Sequence, residues 1–290
     1  MVTAAGQKIS MGKKVDFWVA VLNGVVGDHL ARTENDLATA MGFFCQGVAT
    51  DLRAIRDPKP KVAVLVHGLM CTEAIWAMPD GEDYGSLLAR DLGVTPLYVR
   101  YNSGLAIPDS GAHLDALLEK LVAEYPRPID ELTLIGYSMG GLVIRNATGT
   151  AKAQSAWLPK VKHAVYVGTP HRGAPLERVG RVVGDVLASI PDPYTRLIAQ
   201  IAALRAQGIK DLGDGDPVPL LPSITHALIA GSIGKEEWTS MLFGDGMVPV
   251  ASASHHPALL PERVRVAHGL SHMAIAHHVD VYAHIKALLS

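Results

Sequence analysis

With only two cysteines, Cys45 and Cys71, in 290 residues, the chain can form at most one disulfide and cannot be a disulfide-stapled scaffold. Both are expected to be buried free thiols. Long apolar runs are missing as well: none approaches the ~18 residues that would span a bilayer, so a soluble chain without an integral membrane segment is expected. Neither sign of charge dominates, since 26 Lys+Arg stand against 28 Asp+Glu, and no basic stripe could neutralise a run of phosphates. Nucleic acid and acidic membranes are therefore not expected as partners. A convincing signal peptide is also lacking. Lys8, Lys13 and Lys14 do precede the apolar Phe17 to Leu22, but Asp16 separates the two parts, Asn23 and Asp28 interrupt the stretch beyond Leu22, and no small-residue cleavage site is in place. A cytoplasmic location is expected.

At 49% hydrophobic and 19% charged residues, the chain has material for a large core and is too apolar for disorder. Short β-rich apolar runs alternate with longer amphipathic stretches, the pattern of a mainly parallel sheet with helices on both faces. Strands are expected at Val62 to Val66, Pro96 to Tyr101, Glu131 to Ile135, His163 to Val167, His226 to Ala230 and Arg263 to Ala267. Helical spacing marks Asp83 to Leu92, Ala112 to Tyr125 and Gly140 to Ala153, with Leu114, Leu117, Leu118 and Leu121 as the plainest stripe, and a final helix from Met273 to Leu289. From 175 to 221 the rhythm breaks, and the stripe Leu197, Ile198, Ile201 and Leu204 predicts an inserted helical cap. Pro191, Pro193, Pro217, Pro219 and Pro222 favour a fixed cap over a mobile lid. The expected organisation is an N-terminal extension, 1–56, packed on a domain of 57–290. In such sheets ligands sit at the carboxyl ends of the strands, so function is sought there.

Gly136-Tyr137-Ser138-Met139-Gly140 follows the strand Leu132 to Ile135 and precedes a helical stretch, the context a G-x-S-x-G nucleophile elbow requires. Glycines at both flanks avoid a collision across the tight turn, and the starting helix offers unpaired N–H groups where negative charge would develop. His67-Gly68-Leu69-Met70 closes the strand before it, so the backbone N–H groups of Leu69 and Met139 are the candidate oxyanion donors, with His67 a structural residue holding the loop. A serine needs a base and the base an orienting carboxylate, here in the chain order Ser, acid, His. That order excludes His67, His113, His163 and His171, and leaves His226, His255, His256, His268, His272, His277, His278 and His284. His272 is preferred for its place between the last strand and the final helix, with His268 at the strand end as the fallback. Asp245, between Gly244 and Gly246, is the candidate acid, and Asp280 its weaker rival.

These motifs, together with Gly168-Thr169-Pro170-His171-Arg172-Gly173, Gly244 to Pro249 and Ser271-His272-Met273, resemble the α/β-hydrolase superfamily, and within it lipase and GPI-inositol-deacylase-like serine esterases. The resemblance spans residues 62 to 290. It implies an α/β-hydrolase fold, Ser138 as nucleophile, Asp245 as acid, His272 as base, Leu69 and Met139 as oxyanion hole, no cofactor, and a small-molecule or lipid ester as substrate. A thioesterase or acyltransferase of the same fold, or a non-catalytic binding scaffold, are the alternatives. One departure concerns the oxyanion loop, where Met70 and Cys71 stand in place of the small residue often found there. Leu22 to Asp28 has no mechanistic reading.

Other signals are weaker. The His255-His256 and His277-His278 pairs lack metal-ligand spacing, and Asp211, Asp214 and Asp216 lack a calcium-loop order, so surface and loop roles are expected. Trp76, Trp238, Met241, Leu242 and Phe243 suit an acyl-pocket wall or the core equally.

Overall fold

The computed structural model describes residues 11–152, 154–188, 207–215, 217–234, 244–254 and 263–290. Eight strands form one sheet in the order β2-β1-β4-β3-β5-β6-β7-β8. Six of them run parallel: β3 (Lys61–Val66), β4 (Thr95–Arg100), β5 (Glu131–Tyr137), β6 (Val161–Val167), β7 (Thr225–Ser232) and β8 (Val264–His268). Each matches an apolar run of the sequence within a few residues, because strands covered on both faces need continuous apolar side chains. Val64, Leu65 and Val66, and likewise Leu132, Leu134 and Ile135, have no more than trace exposure.

Alternation along each strand divides the core in two. Val62, Val64, Val66, Leu132 and Leu134 point to one layer, with α3 (Ile107–Glu124) and α4 (Met139–Thr150). Ala63, Leu65, Ile135, Val165 and Ile229 point to the other, with α2 (Tyr84–Leu92). The leucine stripe behaves as read, Leu114, Leu118 and Leu121 being fully buried and Leu117 partly. Asp83 caps α2 by accepting from the Ser86 N–H at 3.0 Å, and Gly93 ends it at φ 63°.

The N-terminal segment adds α1 (Met11–Arg32) and an antiparallel hairpin, β1 (Gly42–Cys45) and β2 (Val48–Ala49), that extends the sheet through β4. A kink at Val26 (φ −131°, ψ 17°) lies between Gly24 and Gly27. The Arg100 guanidinium at the end of β4 fastens this segment. It donates to both Glu73 carboxylate oxygens, at 2.6 and 2.8 Å, lies 3.4 Å from Asp16 of α1, and stacks over the Phe44 ring of β1 at 4.6 Å.

Within the predicted cap, α5 (Leu176–Ala188) and α6 (Gln207–Asp214) are described and contact each other. The stripe Leu197, Ile198, Ile201 and Leu204 lies outside the described residues, as do Pro191, Pro193, Asp216, Trp238, Met241 to Phe243, His255 and His256. Among the described residues, no helix is long and apolar enough to cross a membrane.

Three expectations are corrected. The final helix is not continuous from Met273: a 3-10 turn, Ala274–His277, breaks before α8 (Val279–Leu289), and His278 is the junction. The cause is tertiary, since the Tyr84 hydroxyl accepts from the His278 N–H and donates to its carbonyl. Asp211 and Asp214 belong to α6 rather than to a loop, and Asp211 accepts from the Ile107 N–H at the start of α3, at 2.8 Å. Neither cysteine is fully buried, Cys45 being exposed and Cys71 intermediate. Cys45 ends an edge strand, and Cys71 faces a cleft.

Candidate active site

Ser138 joins β5 to α4 at φ 52°, ψ −124°, a conformation a side chain adopts only when its surroundings impose it. The neighbouring glycines explain how. A Cβ on Gly136 would come within 2.5 Å of the Gly141 Cα, and one on Gly140 would lie 2.3 Å from the Val66 carbonyl oxygen. The same Cβ on Gly136 would lie 2.8 Å from the Gly140 carbonyl carbon, so the collision across the elbow that the motif suggested is there. Gly136 makes room for α4, and Gly140 lets α4 close on β3. Gly141 is equally constrained, a Cβ there meeting the Thr169 Oγ1 at 2.0 Å.

His272 Nε2 lies 2.9 Å from Ser138 Oγ, and His272 Nδ1 lies 2.7 Å from Asp245 Oδ2. All three residues are nearly inaccessible to solvent. Asp245 follows β7 and α7 (Val250–Ser254) follows it; the turn between has Gly244 at φ 57° and Gly246 at φ 95°. That turn folds two N–H groups back onto the carboxylate: Oδ1 accepts from Met247 at 3.0 Å and from Val248 at 2.7 Å. With Oδ1 occupied, Oδ2 faces the imidazole, and because a carboxylate can only accept, the ring proton belongs on Nδ1. Nε2 is then the acceptor for the Ser138 hydroxyl. The loop carrying His272 is held at two further points. Its N–H donates to the Asp245 carbonyl at 2.8 Å, and its carbonyl accepts from the Tyr137 hydroxyl at 2.9 Å.

The other histidines stand elsewhere. His268 ends β8 and is exposed, and Asp280 sits exposed in the first turn of α8, paired with His278 at 3.7 Å. His226 is buried between the Tyr166 hydroxyl and the Leu221 carbonyl. His163 faces Glu131, and burial, ahead of neighbouring charges, lowers its pKa. Trp76 is a core residue, fully buried between Tyr84 and Tyr137.

The loop after β3 approaches the elbow closely, since a Cβ on Gly68 would lie 3.0 Å from the Ser138 Cβ. Burial lowers the His67 pKa to about 4, so its ring is neutral at pH 7. Its Nδ1 lies 2.8 Å from the Gly68 carbonyl oxygen, its Nε2 accepts from the Tyr101 N–H, and the ring stacks on Tyr101 with centroids 4.5 Å apart. The consequence reaches one atom further. The Gly68 carbonyl and the Leu69 N–H belong to one planar trans peptide and point in opposite directions, so fixing the first aims the second. The Met139 N–H, at the first position of α4, has no intrahelical acceptor. Met70 completes the loop at φ 58°, with its N–H donating to Ser103 Oγ at 3.0 Å.

Sequence reasoning missed Tyr137, Tyr101 and Ser103 as supports. All three sit at or just beyond the carboxyl ends of β4 and β5, which is the signal that could have found them.

A cleft of about 230 Å³ opens on Ser138 and His272, and its lining includes Phe17, Leu69, Ile75, Val182, Val186 and Met273. None of its described lining residues carries a formal charge at pH 7 apart from His272 when protonated. Cys71 also lines it, as a neutral thiol whose pKa burial pushes up to about 12. No three His, Cys, Asp or Glu side chains converge as a metal site would require, among the described residues.

No protein-family model and no curated protein matches the chain. Solved structures do. The lipase BlEst2 of Bacillus licheniformis in its mature form is similar over 83% of this chain and 96% of its own, at 20% identity and a TM-score of 0.52. Its propeptide form aligns with a TM-score of 0.55 and 20% identity, over 81% of this chain and 52% of that longer one. The carboxylesterase CesB of Bacillus subtilis is similar over 94% of this chain and 96% of its own, at 14% identity and a TM-score of 0.50. At such identities the likeness is one of fold, and together with the strand order and the turn at Ser138 it places the chain in the α/β-hydrolase fold.

Proposed function

We propose that the protein hydrolyses carboxylic esters through an acyl-enzyme on Ser138. The observation that carries this reading is the continuous hydrogen-bonded chain Ser138–His272–Asp245, buried and opening on an apolar cleft. Ser138 Oγ attacks the ester carbonyl carbon while its proton passes to His272 Nε2. The Leu69 and Met139 N–H groups receive the negative charge on the carbonyl oxygen, which costs no reorganisation because both are held by the fold. Collapse of the tetrahedral intermediate breaks the ester C–O bond, and His272 returns the proton to the departing alcohol. A water molecule then gives a proton to the same nitrogen and attacks the acyl carbon, and the carboxylic acid leaves with the Ser138 hydroxyl restored. Asp245 holds the tautomer that makes Nε2 basic and stabilises the imidazolium. The solved structures of similar fold named lipase and carboxylesterase support the same class.

Labelling with a fluorophosphonate, which modifies only an activated serine, tests the reading directly. Stoichiometric labelling lost in Ser138→Ala, together with turnover of a p-nitrophenyl ester, is the expected result. A folded protein that neither labels nor turns over would leave a binding scaffold as the reading.

A further inference from the structure

The N-terminal helix has no part in the relay, yet it reaches the site. Its face carrying Phe17 and Gly24 is one face, because seven residues are two helical turns. Gly24 is where α1 touches the loop after β3. A Cβ there would lie 2.4 Å from the Met70 Cγ, 3.1 Å from its N and 3.2 Å from its Cα, so only glycine lets the helix seat against that loop. Met70 is thereby buried against α1, which answers why a large residue is accommodated at a position where a small one was expected. Three more contacts fix the helix. Asn102 donates to the Gly27 carbonyl at 2.8 Å, the Asn23 carboxamide bridges the Val19 and Leu37 carbonyls and the Thr39 N–H, and Asp16 faces Arg100. Two turns before Gly24, Phe17 is half-buried and lines the cleft that also holds Ser138, with Val182 and Val186 of α5 in the same lining.

We infer that α1 is a wall of the acyl site and that Phe17 sets the length of acyl chain the enzyme accepts, the favoured substrates being esters of short, uncharged carboxylic acids. The inference rests on the esterase reading above. Its substrate class comes from the cleft: about 230 Å³ is below the ~300 Å³ at the small end of ligand pockets. Its described lining offers aliphatic, aromatic and thioether groups and, among the described residues, no Lys or Arg to pair with a second carboxylate. Because the helix is seated by backbone contact and hydrogen bonds, the ring stands as a fixed stop rather than a mobile flap.

The test is kcat/KM for p-nitrophenyl esters from acetate to dodecanoate, with the hemisuccinate as the charged comparison, in wild type, Phe17→Ala, Phe17→Leu and Phe17→Trp. The ratio of octanoate to butyrate on one preparation cancels the fraction of folded enzyme, so a destabilised variant still reports. Wild type should prefer butyrate and disfavour the hemisuccinate. The ratio should rise at least about fivefold in Phe17→Ala, rise less in Phe17→Leu and fall in Phe17→Trp, the scale set by a methylene or two in an apolar pocket. Hydrolysis that depends on Ser138 but shows the same ratio in all four proteins would overturn the role of Phe17. Loss of that dependence on Ser138 in wild type would instead overturn the esterase reading, so the two failures are distinguishable.

Discussion

Asp245 and Glu73 are both buried carboxylates on segments that follow parallel strands, and each accepts backbone N–H groups as well as a side-chain donor, yet their partners give them different work. Asp245 takes two N–H groups on one oxygen and presents the other to an imidazole. Glu73 takes the Gly47 N–H and both arms of the Arg100 guanidinium. An imidazole near neutral pH can gain and lose a proton, whereas a guanidinium cannot lose one. The first pair can therefore pass a proton towards and away from Ser138, and the second can only hold its segment in place. A buried charge pair does not announce function by itself. What matters is whether one member can change protonation and whether a third group waits beyond it.

The comparison breaks most severely at Ser138. Ser138→Ala should lower ester hydrolysis on the order of 10⁴-fold or more with an unchanged thermal unfolding curve, since members of such a relay act as a unit. Wild-type turnover in that variant would end the reading. Asp245→Asn should come next, with kcat reduced on the order of 10³- to 10⁴-fold and KM little altered, because an amide in place of Oδ2 favours the wrong tautomer of His272. Steady-state kinetics over a substrate series separates the two constants, and a loss seen only in KM would remove Asp245 from the relay.

A smaller loss, roughly ten- to hundredfold in kcat, is expected for His67→Gln, because a loosened Gly68 peptide mis-aims one of two oxyanion donors and complete loss of one typically costs ~10²- to 10³-fold. Affinity for a transition-state-like boronic acid should fall in parallel while substrate KM holds. Parallel loss in KM would make His67 a general support of the cleft instead.

Glu73→Gln should alter turnover least, within about twofold, and act on stability, by about 3 kcal/mol at pH 7 in urea unfolding, the usual scale for breaking a buried ion pair. Its pH dependence sharpens the contrast. Burial pushes the Glu73 carboxyl up, but the Arg100 hydrogen bonds and the Gly47 N–H outweigh it and hold its pKa below the ordinary carboxylate value. A lowered folded pKa means the stabilisation is present in full above the unfolded value of ~4.3 and is lost as pH falls through the folded one. Wild type and Glu73→Gln should therefore diverge at pH 7 and converge in acid. A constant difference across that range would show that packing, not charge, accounts for the effect.

Much of the site was legible from local pattern. A G-x-S-x-G between a strand and a helix can be read because strand period, glycine and helix start lie within a dozen residues, and the glycine–aspartate turn at 244 to 246 is just as local. The sequence favours His272 over His268 by position alone, and the fold supplies the physical reason: the last strand ends at His268, and the loop beyond it turns back to bring His272 to Asp245. Where the reading stopped short, the cause was a contact between distant residues. The break at His278 depends on Tyr84, nearly two hundred positions earlier, and no helical periodicity carries that information.

By itself, then, the amino-acid order determined the six parallel strands, the elbow at Ser138, the acid turn and the class of fold, because each rests on periodicities and φ preferences that neighbouring residues decide among themselves, whereas the hairpin β1–β2 was not legible in it. Only the tertiary structure decided what residues 11–56 are for. Phe17 in an apolar run, Gly24 in an unread segment and Asp16 beside lysines have no local signature of function. Their meaning comes from Met70, Arg100 and α5, brought to them by the packing of a helix whose partners lie tens to more than a hundred and fifty residues further along the chain.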